Sequence, residues 1–271
     1  MNQKSFIATG EIRERGIAER PVWAQCVRSR TWASSIAHRL REVVAQVGFT
    51  RFESAGPDIE GELEIDVRRA PLALDTSWLP AVENRGEGIF LLFDTAAIDQ
   101  WRSRFEVAER GRRLREGFDV WKNEHAESTR DFSGVPYYLL HSLSHLLLTA
   151  ISLDCGYPAA SLRERVYATH GRYGILLYTG SSDAEGTLGE LVEAGRDIKR
   201  YVQLALEHGG LCSNDPICAY HSPSQHDQQY LLGSACHGCL LIAETSCEQH
   251  NSFLDRALVV QTVESIGAQF F

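Results

Sequence analysis

Leu211–Val260 reads L-C-S-N-D-P-I-C, an insert, A-C-H-G-C-L-L, and then E-T-S-C-E-Q-H-N-S-F-L-D-R-A-L-V-V. Five of the chain's seven cysteines fall in this stretch: Cys212, Cys218, Cys236, Cys239 and Cys247. Cys236-His237-Gly238-Cys239 is a C-x2-C pair, and Gly238 lets both thiolates turn toward one point. Cys212 and Cys218 supply the other half of a tetrahedral site. Thiolates are soft ligands, and four of them suit Zn2+ at about 2.3 Å each. Five candidates for four places leave a spare. The tighter pairing is Cys212/Cys218 with Cys236/Cys239, but Cys247 could replace either upstream cysteine. His221, His226, His237 and His250 lie nearby. A complete shell of four cysteines has no open position, so the zinc is expected to be structural.

At 271 residues the chain is one large domain or two small ones, long enough to bury a core without disulfides. The odd cysteine count and an N-terminus, M-N-Q-K-S-F-I-A-T-G-E, without an apolar signal core argue for reduced thiols in the cytoplasm. No apolar run approaches the ~20 residues of a membrane span, so no membrane partner is expected. The net charge of −9 is unevenly spread. Residues 1–122 hold 19 basic and 19 acidic side chains, and residues 123–271 hold 8 against 17. Tight autonomous binding to nucleic acid usually leaves a basic footprint, so any DNA contact by this chain alone is expected to be weak.

Outward from the cysteines, residues 1–32 read as an irregular N-terminal arm, 33–210 as an α/β body, and 211–271 as the zinc-binding module with a C-terminal helix. Ser34 to Val47 carries Ile36, Leu40, Val43, Val44 and Val47 at helix spacing, with Gly48 as a stop. Phe49–Phe52 and the alternating Leu63–Val67 read as short strands, and Ile89–Phe93 as a buried one. Asp94 or Thr95 caps a helix predicted from about Ala97 to Trp121. That helix is the most basic segment, and Arg110, Arg112 and Arg113 are its candidates for contact with nucleic acid or a partner. Interleaved glutamates also allow a plain solvated face with i,i+4 pairs.

Tyr137–Leu153 is the most apolar helix. His141 and His145 share one of its faces, and two such histidines can bind a metal. The zincin pattern fails, because Ser142 stands where Glu is needed and no third ligand is evident locally. Buried core histidines are the favoured reading. Ala160–Tyr167 reads as a short polar helix or turn, and Gly174–Thr179 as a second buried strand. Gly180–Gly189 is a Gly/Ser-rich connection lacking the G-K-[ST] of a phosphate loop. It leads into a helix over Leu188–His208, and the tail is predicted to begin as a helix through Leu254, Leu258 and Val259. A metal-dependent hydrolase of phosphate-containing substrates, built on His141, His145 and Asp183, is the alternative function these residues allow.

R-G-E-G-I-F-L-L-F-D at Arg85–Asp94, H-S-L-S-H-L-L-L at His141–Leu148 and C-G-Y-P-A-A-S-L-R-E-R-V-Y at Cys155–Tyr167 carry a resemblance. So do G-I-L-L-Y-T at Gly174–Thr179, D-A-E-G-T-L-G at Asp183–Gly189, the three cysteine segments and N-x-x-L-D-R at Asn251–Arg256. In this order they resemble the MrfA-like zinc-binding domain of certain helicases and helicase-associated proteins, and specifically the DrmB family of the DISARM anti-phage defence system. The chain looks like the C-terminal part of such a protein, which is longer. The resemblance implies a zinc-stabilised, non-enzymatic accessory or scaffold subunit with no catalytic residues of its own. Its implied partner is a superfamily 2 helicase, with DNA met through the complex. The expected fold is α/β, a small central sheet flanked by helices with a C-terminal four-cysteine module.

Overall fold

The computed structural model describes residues 2–7, 23–28, 31–48, 78–126, 128, 130–158, 160–169, 171–179, 189–223 and 229–271. Phe49–Phe52, Leu63–Val67, the Gly/Ser-rich loop with Asp183, and His226 lie outside them. The fold is mixed α/β. Six antiparallel strands form one sheet: β1 (Asn2–Ile7), β2 (Trp23–Arg28), β3 (Trp32–Gly48), β4 (Ala81–Phe93), β5 (Leu162–Thr169) and β6 (Arg172–Thr179). Their order is β1-β3-β4-β6-β5, and β2 pairs with β3 as well. The N-terminal stretch read as an irregular arm therefore contributes two strands to the edge of β3.

The Ser34–Val47 segment is a strand, not the predicted helix. Its pairing with β4 shifts register between Ala37 and Leu40, where a bulge turns the following residues to the other face of the sheet. Apolar residues therefore lie on both faces, Ile36 on one and Ala37 and Leu40 on the other, which hides the strand alternation in the sequence. Before the bulge, Trp32, Ser34 and Ile36 are buried beside Phe93, Leu91 and Ile89; after it, Leu40, Glu42 and Val44 are buried. The β-branched Val43-Val44 pair also favours the pleated state. Ala160–Tyr167 is likewise mostly β5, whose buried and half-buried positions alternate from Leu162 to Tyr167.

The predicted basic helix is two helices, α1 (Thr95–Arg102) and α2 (Phe105–Glu124). Asp94 caps α1, accepting the Ala97 N–H at 2.8 Å. The helix over Leu188–His208 is also split, into α4 (Glu190–Arg196) and α5 (Ile198–Gly209), at Asp197. The tail holds only a 3-10 turn, Arg256–Leu258, in place of the predicted helix. Its last residues return to α1, where the Trp101 indole donates to Ala268 O at 2.8 Å.

Helix α3 (Val135–Cys155) is the centre of the molecule. Residues 137–148 are all buried, because the sheet, α5 and the 240–260 segment cover it from different sides. A helix that is apolar all round is stable only when so enclosed. It ends at Gly156, whose φ of 70° is a left-handed conformation that a residue with a Cβ adopts only under strain.

Arg110 is not a surface contact. Its side chain is 2% exposed and meets Asp255 at 2.6 Å, with further bonds to Ser234 Oγ and His221 O. Asp255 in turn accepts the N–H groups of Ser234 and Ala257. This pair ties α2 to the cysteine-rich segment. Arg112 and Arg113 are exposed, but Glu109 and Glu116 neutralise them locally. Removing one member of a buried pair leaves an uncompensated charge, so Arg110→Ala should lose about 3–5 kcal/mol in chemical denaturation. Arg112→Ala should leave the denaturation midpoint nearly unchanged, because an exposed ion pair is screened by solvent. Equal small losses for both would contradict the assigned burial.

Candidate metal centre

Cys212 follows the end of α5, Cys218 lies in the turn that succeeds it, and Cys236 and Cys239 flank a single turn. In that turn the N–H groups of Cys239 and Leu240 both return to Cys236 O, at 3.1 and 3.0 Å. The four sulfurs converge. Sγ–Sγ separations are 3.4 Å for Cys212–Cys236, and 3.7 Å for both Cys218–Cys239 and Cys236–Cys239. Tetrahedral zinc with bonds of about 2.3 Å spaces its sulfurs about 3.8 Å apart, so donor set and geometry both fit Zn2+. A Cβ at Gly238 would stand 2.6 Å from Ser213 Oγ, so any larger residue there needs that hydroxyl to turn away.

Backbone N–H groups stabilise charge on two of the sulfurs. Asn214 N–H reaches Cys212 Sγ at 3.4 Å and Gly238 N–H reaches Cys236 Sγ at 3.3 Å, in both cases from two residues onward. Burial opposes the Cys236 thiolate, but hydrogen bonds from Asn214, Cys212 and Gly238 outweigh it and hold its pKa down at about 7. Contact with the Cys239 sulfur, then burial, pushes the Cys218 thiol up. One sulfur ready to ionise among crowded neighbours is an arrangement that a divalent cation resolves.

Cys247 is the fifth cysteine, and it lies in a different cluster. It gathers with His141, His145 and Glu164, all four buried. His141 Nε2 is 3.1 Å from Cys247 Sγ and 2.8 Å from Glu164 Oε1, and His145 Nε2 is 3.2 Å from the same oxygen. Each Nδ1 faces a backbone carbonyl: Phe253 O at 3.2 Å for His141 and Leu240 O at 2.8 Å for His145. Burial lowers the His141 pKa. Backbone carbonyls thus hold both rings, while nearby Ser142 accepts the Asp255 N–H and Asp154 pairs with Arg200. Glu164 was missed. Its signal was a charged residue at a buried position of an alternating strand, hidden while that stretch read as a helix or turn. The two histidines of the hydrolase alternative are 0% exposed, and its third residue, Asp183, lies outside the described residues.

The motif N-x-x-L-D-R seen in the sequence braces both clusters. Asn251 holds Ile242 by two hydrogen bonds, at 2.9 and 3.0 Å, and donates its N–H to Cys247 Sγ at 3.2 Å. Asp255 takes Arg110, and the buried Arg256 spans Gly209 O and Asp215, beside the cysteines.

Comparison with known proteins agrees with this geometry. Residues 143–240 match the family model of the MrfA Zn-binding domain, a span that takes in most of α3, all of α4 and α5, and the four clustered cysteines. The DISARM protein DrmB of Bacillus paralicheniformis is 40% identical over 240 residues, 87% of this chain. The chain is DrmB-like. It spans 42% of that relative's length. The crystal structure of the DUF1998 helicase MrfA bound to DNA aligns with 79% of this chain and 21% of its own, at 13% identity and a TM-score of 0.39.

Replacing one thiolate of the four-cysteine set should remove metal and destabilise the fold together, because the free energy of binding, of order 10 kcal/mol, is folding free energy. Cys236→Ser is expected to lose one equivalent of zinc relative to the unsubstituted chain by elemental analysis, with a lowered Tm. Full zinc content in Cys236→Ser would contradict the four-sulfur site.

Proposed function

We propose that this chain is a non-enzymatic accessory or scaffold subunit of a DISARM-type anti-phage defence complex. In this reading its partner is a superfamily 2 helicase, DNA is engaged through the complex, and a structural zinc holds the cysteine segment. The observation that carries the reading is the 40% identity to a DISARM protein over most of the chain. Two features of the chain support it. The four-cysteine set is complete, so a zinc bound there has no open position for substrate. The histidines that suggested hydrolysis are sealed in the core.

Weak, salt-sensitive contact with DNA fits the charge. The net charge is −9, and the exposed Arg112 and Arg113 are already paired with glutamates. Arg110 drops out of the proposed contact set because it is buried. The place of action is proposed to be the cytoplasm, where the six free thiols of the described residues would stay reduced. Among the described residues no helix is long and apolar enough to cross a membrane.

The test is co-purification of the tagged chain with the products of its neighbouring genes, followed by DNA binding across a salt series. Recovery of a helicase is expected, with DNA affinity of the complex well above that of the chain alone. Replacing Arg112 and Arg113 together should flatten the salt slope of the isolated chain by at most about 2. Tight DNA binding at physiological salt by the isolated chain, with no helicase recovered, would contradict the proposal.

A further inference from the structure

His141, His145, Glu164 and Cys247 converge from three distant parts of the chain: α3, β5 and the loop before Asn251. One ligand atom from each lies within 4.8 Å of every other. The geometry points to a second metal site, in which His141 Nε2, His145 Nε2, Glu164 Oε1 and Cys247 Sγ bind one divalent transition-metal ion of the zinc class.

The protons decide it first. A backbone carbonyl can only accept, so Phe253 O and Leu240 O fix the proton of each imidazole on Nδ1. Each neutral ring then presents the Nε2 lone pair to the centre. Orienting a ligating histidine through a carbonyl on its other nitrogen is how proteins aim imidazoles at metals. Glu164 Oε1 faces both lone pairs, at 2.8 and 3.2 Å, while Ser144 satisfies the other carboxylate oxygen. Acceptor against acceptor is repulsive unless something positive lies between them.

The sulfur gives the second argument. Cys247 Sγ takes the N–H of Gln249 at 3.4 Å and of Asn251 at 3.2 Å. An N–H from two residues onward is the same support that Cys212 and Cys236 receive in the four-cysteine site. The loop that provides it holds His250 and Asn251 at φ of 50° and 61°, a left-handed conformation that non-glycine residues adopt at some expense.

Charge and size close the argument. Two neutral imidazoles, one carboxylate and one thiolate sum to −2, which a divalent ion cancels inside a fully buried pocket. Zinc with bonds of about 2.0–2.3 Å spaces such ligands about 3.3–3.5 Å apart. The three short contacts, at 2.8, 3.1 and 3.2 Å, would open by up to about half an ångström, and all four ligand atoms already lie within 4.8 Å of one another. The shell is closed, so the ion would be structural. His145 also grips Leu240, the residue after Cys239, so the two sites share a wall.

The test uses the full chain, purified without chelator and saturated with Zn2+, then desalted. Elemental analysis for first-row metals is paired with zinc X-ray absorption. About two equivalents per chain are expected, with a mean shell of two to three sulfurs and the multiple scattering of imidazole. Cys247→Ser should drop to about one equivalent and shift the remaining signal to four sulfurs. One equivalent with an all-sulfur shell in the unsubstituted chain would overturn the proposal, and that result needs no variant to fold. Retention of two equivalents by a Cys247→Ser chain with an unchanged imidazole signal would also overturn it.

Discussion

The middle of helix α3, residues 137–148, has no face left for water, and the structure depends on how its polar groups are met. His141, Ser142, Ser144 and His145 sit in its middle, all at 0% exposure. Leaving such groups unpaired costs roughly 1–3 kcal/mol each. Every one finds a partner from outside the helix: Phe253 O and Leu240 O for the imidazoles, Asp255 N–H for Ser142, and Glu164 for Ser144. These partners belong to β5 and to the cysteine-rich segment. The helix can be buried only when both are in place, which joins the sheet, the helix and the metal-binding segment into one cooperative unit.

The same logic sets the roles of the buried arginines. Arg110 joins α2 to Asp255, and Arg256 joins the tail to Asp215 and the end of α5. The irregular segment from Leu211 onward has little regular secondary structure to satisfy its backbone. Thiolates, arginines and Asn251 supply that order instead, a usual solution where a loop-rich region must hold one shape.

Much of this was legible in the sequence because it is local. Cys236-x2-Cys239 declares itself by spacing, as do the apolar runs of β4, β6 and α3 and the Gly156 stop. What was hidden depends on tertiary context. The bulge between Ala37 and Leu40 turns one strand's apolar residues to both faces of the sheet, and the buried polar Ser34 and Glu42 break the apolar pattern further. Arg110 and Arg112 look equivalent in a basic run, and only the position of Asp255 separates a buried anchor from a solvated pair. Cys247 was indistinguishable from the other four because its companions lie about a hundred residues earlier in the chain, on α3 and β5. Glu164 could have been found from the alternation of L-R-E-R-V, had the stretch been read as a strand.

The central claim is that α3 and the cysteine-rich segment are ordered together by bound metal. Amide hydrogen exchange, followed before and after metal removal by a chelator, tests it most directly. The account predicts that α3 and residues 211–260 lose protection as one unit, with β4 and β6 the last to follow. Loss confined to the turns around Cys212–Cys218 and Cys236–Cys239, with α3 as protected as before, would contradict it.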